Sequence, residues 1–348
     1  MRAPTLTPSL AHHAHLWMTQ QAPGIAFATL IGLGAWGLQH LEVWLIGQAV
    51  LDALVLALIL GMLWRNLIGV SMPYSSGITF TGKYVLEGAV VLLGASIDLP
   101  ALLKAGPTLL LAITVVVTVG ISTSTLIGRG LRLPAKVATL IAVGSSICGN
   151  SAMAALAPVI DATAEDIASA MAWTAVLGVL AVLVLPLLIP VLGLSFYQYG
   201  VLAGMTIYAV PQVLAATVPV SPISGQIGTL VKLVRVLLLG PVIVIFSLTH
   251  HTAGSVRHLT FGRLVPWCIV GFVTLAAARS MGILPPMPAE VLREMSRWLT
   301  VAAMAALGLE VQLQAVRRVG AMVAVTVVLS LLVLVLLSAL MIRGLSIA

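Results

Sequence analysis

Gly144-Ser145-Ser146-Ile147-Cys148-Gly149-Asn150-Ser151 sits inside an apolar stretch running from about residue 135 to 160, yet seven of its eight residues are small or polar. Serine and asparagine side chains compete with the helix for backbone hydrogen bonds, and glycine loses the most freedom on becoming helical. The run predicts an unwound break within the fifth apolar span, at a place where protein or water satisfies the freed backbone groups. A break creates two half-helices. The one beginning near Asn150 or Ser151 would aim its amide N–H groups and positive dipole end at the membrane centre, which suits an anion. Small residues also serve close helix packing, but Asn150 has no role in that.

Outward from this stretch the chain is apolar almost throughout. Sixty per cent of the 348 residues are hydrophobic and 8% are charged, against about 25% charged in a soluble domain. The outward faces must therefore meet lipid. A span needs about 20 apolar residues, and on that rule helices fall near residues 23–39, 44–64, 82–98, 107–128, 135–160, 166–190, 196–216, 224–249, 264–280, 296–312 and 320–343. The expected fold is an all-α polytopic membrane protein of about eleven transmembrane helices. Residues 1–22, with Pro4, Pro8, His12, His13 and His15, read as a mobile tail, and 23–348 as a single membrane domain.

Lys and Arg near span ends resist translocation. Arg2, Arg65, Lys83, Arg129, Arg132, Lys136, Arg257, Arg263, Arg317 and Arg318 fall on one side; Lys104, Arg279, Arg293, Arg297 and Arg343 fall on the other, with the acidic turn Asp161, Glu165, Asp166. The bias places the N-terminus in the cytoplasm and the C-terminus outside the cell. The formal charge of +7 is scattered over these flanks, not clustered with aromatics, so nucleic acid is not an expected partner.

Residues 93–131 align without a gap on residues 307–345 with 11 identities in 39 positions, among them Arg129-Gly130-Leu131 on Arg343-Gly344-Leu345. The copies lie an odd number of spans apart and so run in opposite directions. Inverted repeats with broken helices crossing at mid-membrane are a common plan of secondary transporters. In two tandem five-helix repeats, the mate of the Ser145–Ser151 break would follow residue 345. The chain ends at 348, so Tyr208 to Gln212 is the candidate second break: Pro211 removes a backbone donor and frees a carbonyl near Ile207, and Tyr208 and Gln212 add polar tips.

Lys232 and Arg235 lie three apart on one helix face, within a span where charge is expensive and usually faces a cavity or partner. They are read as raising the local concentration of an anionic solute. Asp52 and Glu87 are candidates for coupling to Na⁺ or H⁺, or for simple pairing with a cation such as Lys83. Cys148 and Cys268 are too few for a disulfide framework or zinc site, so neither a metal nor a cofactor is expected. No catalytic residue is assigned: the chain lacks H-E-x-x-H, G-x-S-x-G and the Walker A pattern, which also leaves an ion gradient as the motor.

Together, Leu92-Leu93-Gly94-Ala95, Gly144 to Gly149 leading to Ala157-Pro158-Val159-Ile160, Gln212-Val213-Leu214-Ala215-Ala216, Lys232-Leu233-Val234-Arg235-Val236 with Pro241, and Met304 to Leu309 resemble the YeiH-like sulfate exporter family. The resemblance runs in order over about residues 50 to 345. It implies an inner (plasma) membrane transporter related to the bile acid:sodium symporter and NhaA-like folds. By the same resemblance the Ser145–Ser151 break, Gln212, Lys232 and Arg235 line the site. Many members have a His-Glu pair where this chain has Tyr208-Ala209, and a small residue where it has Asn150, so the substrate and the route of any proton differ here. The expected solute-binding set is Ser145, Ser146, Cys148, Gly149, Asn150, Ser151, Tyr208, Gln212, Lys232 and Arg235, with breaks at Gly149 and Pro211. The expected function is alternating-access transport, in the export direction, of sulfate or an organic sulfonate or carboxylate. Cation-coupled uptake and a passive anion channel are the alternatives, and a homodimer is compatible with either.

Overall fold

The computed structural model describes residues 10–47, 51–96, 106–249, 267–314 and 320–345, and every regular element among them is helical. The chain divides into two compact units, Met1–Ala89 with Arg297–Glu310, and Val90–Ser296 with Val311–Ala348, where the sequence suggests one domain. Five stretches among the described residues are long and apolar enough to cross a membrane: Thr19–Ile46, Gly106–Gly130, Ala164–Leu192, Pro222–Thr249 and Ala321–Gly344.

In the first unit, α1 (Leu10–Ile46), α2 (Ala53–Leu67) and α3 (Met72–Phe80), which continues through a π-helical turn at Thr81–Val85 into α4 (Leu86–Leu93), pack through glycines. Apolar tails gain nothing by leaving lipid for another apolar surface, so helices associate where small residues let backbones touch. A methyl group at Gly24 of α1 would stand 2.2 Å from the Tyr74 carbonyl oxygen, and one at Gly308 2.2 Å from that of Leu58. The stretch read as a tail is helical from Leu10; extending an existing helix avoids the cost of nucleating one, and no proline intervenes before Pro23. Residues 1–9 lie outside the described residues.

The second unit carries the break. α5 (Gly106–Gly130) leads to α6 (Ala135–Ser146), and a turn at Ile147–Gly149 to α7 (Asn150–Leu156). These last two do not form one crossing helix, as the sequence suggests. Lys136, in the first turn of α6, donates from Nζ to the Asp161 carbonyl beyond the end of α7. In a continuous helix those residues would lie roughly 37 Å apart. Met153 of α7 folds back onto α6, so close that a methyl at Gly144 would stand 2.2 Å from its Cε. α6 and α7 are a re-entrant hairpin, and the acidic turn at Asp161 shares the end of Lys136.

α8 (Ala164–Val184), prolonged by a 3-10 turn Leu185–Leu187 and α9 (Leu188–Leu192), leads to a second hairpin, α10 (Phe196–Thr206) and α11 (Val210–Thr217). Here Tyr199 Oη, near the start of α10, donates to the Ala216 carbonyl near the end of α11 at 2.8 Å. α12 (Pro222–Leu237) and α13 (Leu239–Thr249) follow. α12 runs parallel to α10: a methyl at Gly200 would stand 2.8 Å from the Ser224 carbonyl oxygen, and one at Gly204 2.6 Å from that of Gly228. Beyond α14 (Trp267–Ser280) and α15 (Pro286–Glu310), which spans the division between units, the described chain closes with α16 (Ala321–Gly344).

α16 lies antiparallel to α5, with Gly120 against Leu334 and Gly128 against Thr326. Under the alignment of residues 93–131 with 307–345, buried Leu109, Ala112, Ile113, Val116, Gly120, Ser124 and Gly128 of α5 fall on the seven buried residues of α16, while the eighth buried residue of α5, Val117, falls on half-buried Leu331.

Two outcomes follow from this architecture. Single cysteines at Leu133 and Ala162, in a background lacking Cys148 and Cys268, should react with an impermeant maleimide from the same side of the membrane; labelling from opposite sides would restore a crossing helix. Gly308→Leu should lower the melting temperature of the purified protein, by about 1–3 kcal/mol of overpacking, whereas Gly34→Leu, with nothing within 4 Å, should leave it unchanged.

Candidate functional site

The two hairpins meet at their tips. Gly149, at φ 68° and ψ −130°, holds a backbone conformation closed to other residues, and a methyl there would lie 3.3 Å from Tyr208 Cβ. Each tip ends a half-helix, and the last carbonyls of a helix have no intrahelical donor. At a water-poor centre those carbonyls need donors from elsewhere.

α12 supplies them. Lys232 and Arg235, one turn apart, are both fully buried. Lys232 Nζ donates to the Ile147 carbonyl of the first hairpin and, at 2.8 Å, to the Ile207 carbonyl of the second. Arg235 donates from Nε to Ser146 O at 3.0 Å and from Nη2 to Ser145 O at 3.0 Å. Its Nη1 reaches Gly204 O at 2.7 Å and Ile207 O at 3.1 Å. Both side chains therefore tie the two hairpins together. The Ile207 carbonyl lies four residues before Pro211, which occupies the first turn of α11, and it takes a donor from each cation.

Lys232 and Arg235, read from sequence as facing a cavity or a partner, have these main-chain carbonyls as their partners. Lysine offers three N–H donors and arginine five, and the bonds above occupy two and four of them. Among the described residues neither forms an ion pair, since the ion pairs found are Arg293 with Glu290 and Arg297 with Asp52.

The remaining expected site residues surround this knot. Ser145, Ser146 and Tyr208 are buried, and their hydroxyls have no hydrogen-bond partner, although Tyr208 Oη lies beside Ser145. Cys148 is half-buried, a free thiol within electrostatic reach of both cations. Asn150 and Ser151 are exposed. α8 touches both second half-helices: Thr174 Oγ1 donates to Asn150 Oδ1 at 3.2 Å, and one turn on a methyl at Gly178 would stand 2.4 Å from Gln212 Nε2. Gln212 Oε1 in turn accepts from the Ala209 amide at 3.3 Å.

Thr174 and Gly178 are the residues that sequence reasoning missed, because a threonine and a glycine on an apolar helix carry no signal until their neighbours are known. Asp52 and Glu87 belong to the first unit. Asp52 caps α2 by accepting from the Leu54 amide at 2.9 Å and faces Arg297 at 3.7 Å; Glu87 is half-buried on α4.

An all-helical, lipid-compatible chain with two facing re-entrant hairpins is a polytopic membrane protein. A family model described as conserved hypothetical protein 698 matches residues 23–327. A UPF0324 membrane protein of Brucella melitensis is 50% identical over 312 residues, covering 90% of this chain and 87% of that protein. One of Agrobacterium fabrum is 46% identical over 322 residues, 92% of each chain, and one of Bacillus cereus 35% over 299 residues, 85% and 87%. The chain belongs to this family, the YeiH-like membrane proteins. No solved structure matches it.

Arg235→Lys should destabilise the fold by about 3 kcal/mol, because the three donors of a single ammonium cannot reproduce the four bonds that the planar guanidinium spreads over both hairpins. Thermal unfolding of the purified protein measures the loss.

Proposed function

We propose that the chain is a secondary transporter of a small anion, working by alternating access about the two hairpin tips. The observation that carries this reading is the pair of hairpins meeting tip to tip beside two buried cations. Irregular backbone at membrane depth is expensive and persists where it lines a solute site or is buried in protein. The charge balance favours an anion. Each tip joins a helix C-terminus to a helix N-terminus, whose partial charges of about −0.5 and +0.5 offset one another, so the positive charge of Lys232 and Arg235 is left over. Unpaired hydroxyls on Ser145, Ser146 and Tyr208 and the exposed Asn150 and Ser151 supply polar groups around it.

The relation of α5 to α16, and of one hairpin with its following long helix to the other, supports an inverted-repeat plan in which α10 and α11 are the mate of α6 and α7. On this plan both hairpins return to the side they entered, so that nine of the eleven apolar spans read from the sequence would cross and the C-terminus would lie on the side opposite the N-terminus. The charge bias then puts the N-terminus in the cytoplasm of a cell whose inner membrane holds the protein. Sulfate, and organic sulfonates or carboxylates, are the substrates to try, with export as the direction.

Proteoliposomes should show saturable, counterflow-competent movement of at least one labelled anion from that set. Gly149→Ala should reduce it about tenfold through strain at a left-handed position, and Asn150→Ala should weaken apparent affinity while the protein still inserts. If no tested anion moves, the reading fails.

A further inference from the structure

Carbonyl oxygens of Ser145, Ser146 and Ile147 from one hairpin, and of Gly204 and Ile207 from the other, converge on a common region between the tips. In cation-driven carriers, unwound carbonyls and half-helix C-terminal ends of this kind coordinate the coupling ion. Five oxygens without a positive charge among them would repel one another in a medium that screens poorly. Here the positive charge is covalently attached. We propose that Lys232, assisted by Arg235, fills the place of a coupling sodium ion, so that the chain has no functional Na⁺ site at its hairpin tips and works without a sodium gradient.

Three features of the structure support the substitution. Lys232 Nζ takes one carbonyl from each hairpin, as a bridging ion would, and it is fully buried. Among the described residues no carboxylate joins the cluster as an ion-pair partner, so Lys232 Nζ and a sodium ion sharing the Ile147 and Ile207 carbonyls would meet only mutual repulsion. Asp52, a candidate from sequence for ion coupling, belongs to the other unit and accepts from the Leu54 amide at the cap of α2.

The inference rests on the transporter reading for its meaning in energy coupling, but its test does not require that any solute move. Melting temperatures of the purified full-length protein are compared in NaCl, KCl and choline chloride at equal ionic strength. The wild type should melt at the same temperature in all three. Lys232→Ala, which leaves Ile147 and Ile207 with an unfilled gap, should gain about 3 °C in NaCl over choline chloride, since a ligand that binds only the folded state raises its stability by mass action. A sodium-specific rise in the wild type would overturn the proposal, and so would a folded Lys232→Ala protein indifferent to sodium. Should that variant not fold, the wild-type comparison still decides. In proteoliposomes that do transport an anion, exchanging Na⁺ for choline should leave the initial rate within about twofold; a rate that vanishes without sodium would also reject the inference while leaving the transporter reading intact.

Discussion

Everything at the centre of this protein depends on finding donors for five main-chain carbonyls. Interrupting a helix inside a membrane leaves its C-terminal carbonyls unpaired, at a cost of several kcal/mol for each group left dry. Two such interruptions face each other here. Burying a lysine and an arginine to serve them is itself expensive, and either step alone would be ruinous. Together they offset one another, because six charge-assisted hydrogen bonds, each worth about 1.5–3 kcal/mol, satisfy the carbonyls and solvate the cations at once.

That mutual dependence explains the glycines around the knot. Arg235 reaches the Gly204 carbonyl at 2.7 Å only because α10 and α12 are nearly in backbone contact, through Gly200 and Gly204 on one side and Ser224 and Gly228 on the other. Gly178 leaves room for the Gln212 carboxamide, and Gly149 makes the turn that brings the first tip against Tyr208. Larger side chains at these points would move the carbonyls out of reach of their donors. The packing of small residues and the placement of the cations are thus parts of one solution.

Much of this could be read from residue types, and the limit is instructive. Gly144 to Ser151 is so poor a helix that a break there follows from composition, and Pro211, which has no N–H to donate, marks the neighbourhood of the second. Lys232 and Arg235 stood out because charges at that depth need a reason. Direction was not legible. A break erases the 3.6-residue register that connects one half-helix to the next, so nothing local says whether Asn150–Leu156 continues forward or turns back; that is decided by Met153 packing on Gly144 and by Lys136 reaching Asp161, contacts between residues far apart in sequence. The partners of the cations were hidden for the same reason. Backbone carbonyls carry no residue identity, and a sequence can display a buried charge without displaying what neutralises it.

The same point bears on how such a site would select its solute. A cation held by main-chain carbonyls is fixed in place by groups that cannot titrate. A solute that engages the surplus positive charge must compete with, or join, oxygens already bound to it, and its affinity then depends on how the two tips stand relative to each other. Any movement that separates Ile147 from Ile207 strips Lys232 of one acceptor and raises its demand for an anion; movement that closes them lowers that demand. In the proposed carrier, coupling between tip geometry and anion affinity would arise from the shared lysine itself. A carrier needs that coupling: differential affinity for a solute in two arrangements of one structure.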